Sequence, residues 1–153
     1  GLSSDVVAML ASDGIEMIDV AGKGGTNWAA VEAARQNPDA QRLYSPFLDT
    51  GIALPDAITG ARHRGKTLFI IASGGIRHGL DASRCLWLGA NIAGIAGRVL
   101  KALEDQDGSR HEDRLDDYLT DFVQQIKLSI FLSGAETLSQ FQKKARLGRK
   151  TSG

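Results

Sequence analysis

The chain has 153 residues, 42% hydrophobic and 24% charged, the proportions of an ordinary globular protein able to bury one core. Lys and Arg number 18 and Asp and Glu number 18, which excludes an overall field favouring nucleic acid or an anionic membrane, so any anion site must be local. Apolar runs such as Leu68 to Ala72 are far too short to span a bilayer, no basic-then-apolar leader opens the chain, and the lone Cys85 excludes a disulfide framework; the expectation is a cytoplasmic protein with a buried thiol.

In chain order, Ser3 or Ser4 reads as a helix N-cap with Asp5 in the first turn and Val6, Val7 and Leu10 behind it. The chain starts with Gly1 rather than Met, immediately before this helix, which raises the expectation of a fragment or a processed chain. Ile15 to Ala21 is a β-prone run that ends in Gly22-Lys23-Gly24-Gly25-Thr26-Asn27, and a short helix is predicted at Trp28 to Arg35. Residues 36–53, with Pro38, Pro46 and Gly51, read as an irregular connection.

Leu54, Ala57, Ile58 and Ala61 recur at i, i+3, i+4 and i+7, one face of a helix with Pro55 in its first turn. Thr67 to Ser73 is apolar without alternation, the pattern of a parallel strand covered on both faces. Asp81 is the predicted cap of a helix through Leu88, and Gly89 ends it. Asn91 to Ala96 gives a third strand, and Gly97 opens a helix to about Leu103. After a polar stretch from Glu104 to Asp117, Leu115, Leu119, Phe122, Val123, Ile126, Ile130 and Phe131 form a helical stripe. The basic cluster Lys143, Lys144, Arg146, Arg149 and Lys150 lacks interleaved aromatics and reads as a solvated tail.

Strand, glycine loop and helix thus recur three times, which means parallel strands with right-handed crossovers, in an open sheet or in a (β/α)8 barrel. Three strands are too few for either, since a barrel needs about 250 residues.

Three loops carry candidate chemistry. In Ser73-Gly74-Gly75-Ile76-Arg77, two glycines after a strand let backbone approach a ligand, the amides through Ile76 can converge on an anion, and Arg77 offers a guanidinium fork. A plain tight turn is the structural alternative. In Ile92-Ala93-Gly94-Ile95-Ala96-Gly97-Arg98, small residues again hand a strand to a helix whose free amides face the same mouth. Adjacent anion-friendly loops of this kind favour the barrel, where the loops after the last strands commonly bind phosphate. The third loop, 22–27, lacks the Gly-Lys-Ser/Thr ending of a Walker loop and reads as the lining of a ligand cavity.

His63, His78 and His111 lack metal-ligand spacing. Asp105, Asp107 and Gly108 hint at a calcium loop, but Leu103 and Arg114 would then fall at its first and twelfth ligand positions.

Taken together, DVAGKGGTNWAAVE at 19–32, IASGGIRHGLDASRCLWLGA at 71–90 and NIAGIAGRVLKAL at 91–103 resemble the flavin-dependent, type 2 isopentenyl-diphosphate isomerases, with a looser likeness in the final helices. The resemblance implies the C-terminal portion of a TIM (β/α)8 barrel, about strands six to eight, with residues 1–135 as the partial barrel and 136–153 as a C-terminal helix and basic tail. It implies an FMN-dependent isomerase interconverting isopentenyl and dimethylallyl diphosphate, with Mg2+ on the diphosphate, flavin reduced with NADPH, and a homo-oligomeric assembly. By the family pattern Gly74, Gly75, Ile76, Arg77, Ala96 and Gly97 hold the FMN phosphate and Thr26 approaches the flavin. The family's metal ligands and its lysine near the flavin belong to earlier strands, so no catalytic or metal-binding residue is expected here, and the segment alone is expected to be inactive. The chain departs from the pattern at Ala21, where serine is frequent, and at Thr50-Gly51-Ile52-Ala53, where a Trp-Gly-Ile-Pro-Thr run is common.

Two other readings remain open. An α-hydroxy acid oxidase type of FMN barrel shares the Gly-Gly-x-Arg loop but places a catalytic histidine after strand six, where this chain has Lys23, Thr26 and Asn27. A non-catalytic half-barrel would bury its exposed strand edges against a partner.

Overall fold

The computed structural model describes residues 1–105 and 109–150, with side chains as far as Ala145. Ser3 opens α1 (Ser4–Ser12), its hydroxyl accepting the Val6 amide at 3.3 Å and so satisfying one orphan donor of the first turn. Strand β1 (Met17–Asp19) leads through the loop at 22–27 into α2 (Trp28–Ala34). Residues 36–53 are less irregular than expected, holding α3 (Pro38–Tyr44) and a 3-10 turn (Ser45–Phe47). The cause is local: Asn37 accepts the Ala40 amide at 2.9 Å, and Pro38 stands in the first turn, where its missing N–H costs nothing. The chain continues through α4 (Leu54–Arg64), β2 (Phe69–Ala72), α5 (Gly79–Leu88), β3 (Ile92–Ala93), α6 (Gly97–Leu103), α7 (Glu112–Leu132) and α8 (Leu138–Lys150).

The strands form one parallel sheet in the order β1-β2-β3, with Met17 opposite Phe69, Asp19 opposite Ile71, and Ile71 opposite Ile92. Parallel neighbours require crossovers, which the helices supply. Pairing extends beyond the strand cores: the Phe69 amide donates to the Glu16 carbonyl at 2.8 Å, Gly22 to Ser73 at 2.9 Å and Gly94 to Ala72 at 2.7 Å. This recovers most of the longer strands expected at 15–21 and 91–96.

One face of the sheet, through Ile18, Val20, Ile70 and Ala72, is buried against Val7 of α1, the predicted Leu54, Ala57, Ile58 and Ala61 face of α4, and Ala82 of α5. The many alanines let these helices lie close to the strands. The other face is open: Met17 is 57% and Ile92 46% exposed, while Phe69 and Ile71 are half-buried. The expectation that β2 is covered on both faces therefore holds for one face only among the described residues.

At the amino ends of β2 and β3 a single side chain ties the loops together. Arg62 donates through Nη1 to the carbonyls of Gly65 (3.2 Å), Lys66 (3.0 Å) and Leu68 (2.8 Å), and through Nε and Nη2 to that of Gly89 at 3.0 and 2.8 Å. Its Nη2 also reaches Asn91 Oδ1 at 2.7 Å, and that oxygen accepts the Ile70 amide at 2.8 Å. Arg62 thus gathers carbonyls from the segments entering β2 and β3 onto one guanidinium.

The final helices close over α5. Gly79 lets α7 approach: a methyl group there would lie 2.2 Å from the Phe122 carbonyl oxygen, and its amide donates to Gln125 Oε1 at 2.7 Å. Of the predicted α7 stripe, Phe122 is buried and Ile126 half-buried, with Tyr118 alongside, whereas Leu119, Val123 and Phe131 are exposed. The apolar stripe is wider than the surface that α5 offers it. Helix α8 docks through Phe141, whose ring meets Trp87 edge-on at 4.8 Å between centroids. Lys144 Nζ donates to the carbonyls of Ser133 (2.9 Å) and Gly134 (2.5 Å), capping the end of α7. Cys85 is buried as expected. Among the described residues no helix is long and apolar enough to cross a membrane.

A candidate anion-binding site at the carboxyl ends of the strands

The carboxyl ends of β1 and β2 carry the loops at 22–27 and 73–77, and these two loops interlock. Gly74 and Gly75 both adopt positive φ, 86° and 83°, conformations that side chains rarely take. A methyl group on Gly74 would lie 2.5 Å from the Gly22 carbonyl oxygen, one on Gly75 2.9 Å from the Gly24 carbonyl carbon, and one on Gly25 2.9 Å from the Gly74 Cα. The glycines are thus required, but what comes close to them within the chain is the neighbouring loop's backbone.

This stacking leaves an unmet donor set. Among the described residues no protein acceptor takes the amides of Gly74, Gly75 or Ile76, nor those of Ala96 and Gly97 at the start of α6. The Ile76 side chain is anchored in the core, which holds its amide in place. Gly94, just before Ala96, packs beside Ser73, where a methyl would meet the Ser73 Cβ at 3.4 Å, while a methyl on Gly97 would meet nothing within 4 Å. The expected residues of the first two loops therefore start from adjoining strands, with room in front of Gly97. An anion fits this donor chemistry, because consecutive free amides after a strand attract negative charge.

Arg77, expected to offer a guanidinium fork to an anion, has that group beside a carboxylate of the chain itself. Its own amide donates to Asp81 Oδ2 at 3.2 Å and its Nε lies 3.8 Å from the same oxygen. Asp81, largely buried, also faces His78 Nδ1 at 3.5 Å and Arg84 Nη1 at 3.5 Å. Asp81 is not the cap of α5 that the sequence suggested: His78 takes that position, its Nδ1 accepting the Asp81 amide at 3.3 Å. The Arg77 carbonyl accepts the Tyr118 hydroxyl at 3.1 Å, and burial pushes that phenol's pKa up, against the opposing pull of Arg98.

In the loop at 22–27 the side chains divide. Lys23 pairs with Asp49 at 2.8 Å and also bonds the Asp49 carbonyl, which holds the Asp49 carboxyl below its ordinary range. Asn27 caps α2 through the Ala30 amide at 3.0 Å and donates to the Leu48 carbonyl at 2.5 Å. The two therefore brace the loop against residues 48 and 49 and the start of α2. Thr26 is exposed, with no protein partner for its hydroxyl among the described residues.

Sequence reasoning assigned no role to Asp19. Its Oδ1 accepts the Ser73 hydroxyl at 2.8 Å and the Ala21 amide at 3.0 Å. Strand register brings the pair together, and no spacing along the chain encodes register. Elsewhere, Asp105 pairs with His111 at 2.8 Å and Arg114 at 2.9 Å, chiefly the arginine lowering its pKa, while Asp107 and Gly108 of the calcium-loop pattern lie outside the described residues. No group of three potential metal ligands occurs among the described residues.

The chain is 35% identical over 144 residues to isopentenyl-diphosphate delta-isomerases of Rickettsia canadensis and Rickettsia africae, a span covering 94% of this chain and 41% of each relative. It therefore spans about two fifths of the length of the relatives it matches, as expected for a C-terminal part. Among solved structures, inosine 5'-monophosphate dehydrogenase from Legionella pneumophila aligns with a TM-score of 0.64 at 17% identity, covering 93% of this chain and 52% of that one. GMP reductase from Trypanosoma brucei aligns with a TM-score of 0.64 at 15% identity, covering 92% and 31%. These likenesses identify the three-stranded sheet and its helices as part of a (β/α) barrel. The family described as FMN-dependent dehydrogenase matches residues 2–147, and the chain belongs to that family.

Proposed function

We propose that this chain is the segment of an FMN-dependent isopentenyl-diphosphate isomerase that grips the flavin's phosphate. The observation carrying the reading is the set of Gly74, Gly75 and Ile76 amides, which like those of Ala96 and Gly97 have no protein acceptor among the described residues, on a chain 35% identical to isomerases over 94% of its length. In this reading those amides and the amides of Ala96 and Gly97 take the FMN phosphate oxygens. Arg77 exchanges its loose contact with Asp81 for the phosphate, and Thr26 offers its hydroxyl to the flavin. The interlocked glycine backbones keep side chains out of the space the phosphate needs.

When bound and reduced with NADPH, FMN would supply the proton transfer at the alkene of the substrate, with Mg2+ neutralising the diphosphate. The ligands for that ion are expected on strands other than these three, and residues 1–135 constitute the barrel portion to which 136–153 are appended. The family description, FMN-dependent dehydrogenase, also suits a second reading, an FMN-dependent oxidoreductase of the α-hydroxy acid oxidase type. The absence of a histidine from residues 22–27 counts against it.

The test uses the full-length polypeptide that carries this chain. Arg77→Ala is expected to weaken FMN binding by about 1.5–3 kcal/mol, the range for a hydrogen bond to a charged group, measured by flavin titration. Unchanged affinity would remove Arg77 from the site. Interconversion of the two isoprenoid diphosphates by the loaded parent, absent from the 153-residue chain alone, is the expected activity; oxidation of a hydroxy acid instead would favour the second reading.

A further inference from the structure

Asp19 ends β1 in register with Ile71, on the sheet face away from the helix layer, and Ser73 lies just past the end of β2, two residues after Ile71, within reach of Asp19. One carboxylate oxygen accepts both the Ser73 hydroxyl at 2.8 Å and the Ala21 amide at 3.0 Å. Ser73 immediately precedes the Gly74-Gly75-Ile76 amides, and Ala21 precedes the loop carrying Thr26. The same two roots are joined by the Gly22 amide donating to the Ser73 carbonyl at 2.9 Å.

We propose that Asp19 is a positioning residue that fixes the Thr26 loop and the Gly74-Gly75 loop relative to one another, so that their ligand groups meet one bound molecule in a set geometry. The proposal rests on the reading of these two loops as the FMN site. The physical need follows from the sequence: glycines have the widest backbone freedom of any residue, so a donor set built on them holds its shape only if its ends are anchored. Ile76 anchors one end through the core. Asp19 anchors the other, and because the loops interlock at Gly74 and Gly75, a shift at its root moves both. A negatively charged oxygen suits this task, since hydrogen bonds to it are stronger than those to a neutral acceptor.

Three variants of the full-length polypeptide test this. Asp19→Asn keeps an oxygen able to accept both bonds but removes its charge, and is expected to lose clearly less FMN affinity than Asp19→Ala. Asp19→Ala is expected to weaken it by about tenfold, the scale of a single hydrogen bond to a charged group. Ser73→Ala, which removes only the hydroxyl, should lose part of that affinity, and adding it to Asp19→Ala should lose no more, a non-additivity expected of directly coupled groups. Amide hydrogen exchange without FMN supplies a second readout: residues 20–26 and 73–77 should exchange faster together in Asp19→Ala and stay protected in Asp19→Asn. The proposal is overturned if Asp19→Ala binds as the parent does, if Asp19→Asn loses as much as Asp19→Ala, or if the two loops change exchange independently. A parent that takes up no FMN would instead sink the flavin reading, and the exchange data would still decide whether Asp19 couples the loops.

Discussion

At the level of single residues, burial and hydrogen bonding separate groups that look alike in the sequence. Cys85 shares α5 with the first turn near the anion loop, yet burial, helped by the nearby Asp81 charge, pushes its thiol up to about 11. The thiolate is the reactive form, so the folded chain should react far more slowly with a thiol reagent at pH 8 than the unfolded chain does; equal rates would contradict the burial. Below roughly pH 8.5, the ordinary thiol pKa, both states keep the proton and the full stability is present. As pH rises toward about 11 the unfolded state gives up its proton first, and stability falls. Arg62 acts oppositely, its charge serving backbone carbonyls of the β2 and β3 entry loops. Arg62→Met keeps much of the aliphatic bulk and removes every donor. It should cost on the order of 3 kcal/mol, the loss of strong charged hydrogen bonds at a partly buried site, read from the denaturant midpoint. A variant as stable as the parent would show that water replaces the guanidinium freely.

Among the elements, the contact between α5 and α7 depends on Gly79 having no side chain. Gly79→Ala would drive a methyl group into the Phe122 carbonyl oxygen and should destabilise by ~1–3 kcal/mol, the usual cost of overpacking, with the midpoint again as the measure. A neutral outcome would mean that α7 slides without penalty. The elements themselves were legible to different degrees. Helix α4 could be read outright, because Leu54, Ala57, Ile58 and Ala61 recur at helical spacing and all four are buried. The glycine loops were legible as strand ends where backbone must come close, which the positive φ of Gly74 and Gly75 and their contact with the neighbouring loop bear out. The partners of Lys23 and Asn27 were not, since Asp49 and Leu48 reach them only once α3 and the turn after it have folded back. The cap of α5 was misread because a histidine ring nitrogen, an unusual cap, displaced the aspartate that propensity favours. Asp19 and Ser73 stood in view, but only strand register makes them neighbours.

For the molecule as a whole, the decisive property is a sheet with one dressed face and one bare one. Among the described residues Met17 and Ile92 stand exposed on β1 and β3, the edge strands of the sheet, and α7 adds an uncovered ridge at Leu119 and Val123. Apolar surface and free strand edges of this kind drive association. The isolated 153-residue chain should therefore sediment as an associated species whose size grows with concentration, and a monomer at every concentration would count against the half-barrel description. The Arg62 hub adds a different consequence. It rivets the entrances of β2 and β3 into one stiff base, whereas their exits rest on glycine backbones held at a few points. Thermal breathing should therefore be lopsided, tilting the mouth while the base stays still, so that a guest arriving at the mouth tunes the pliable end without loosening the foundation.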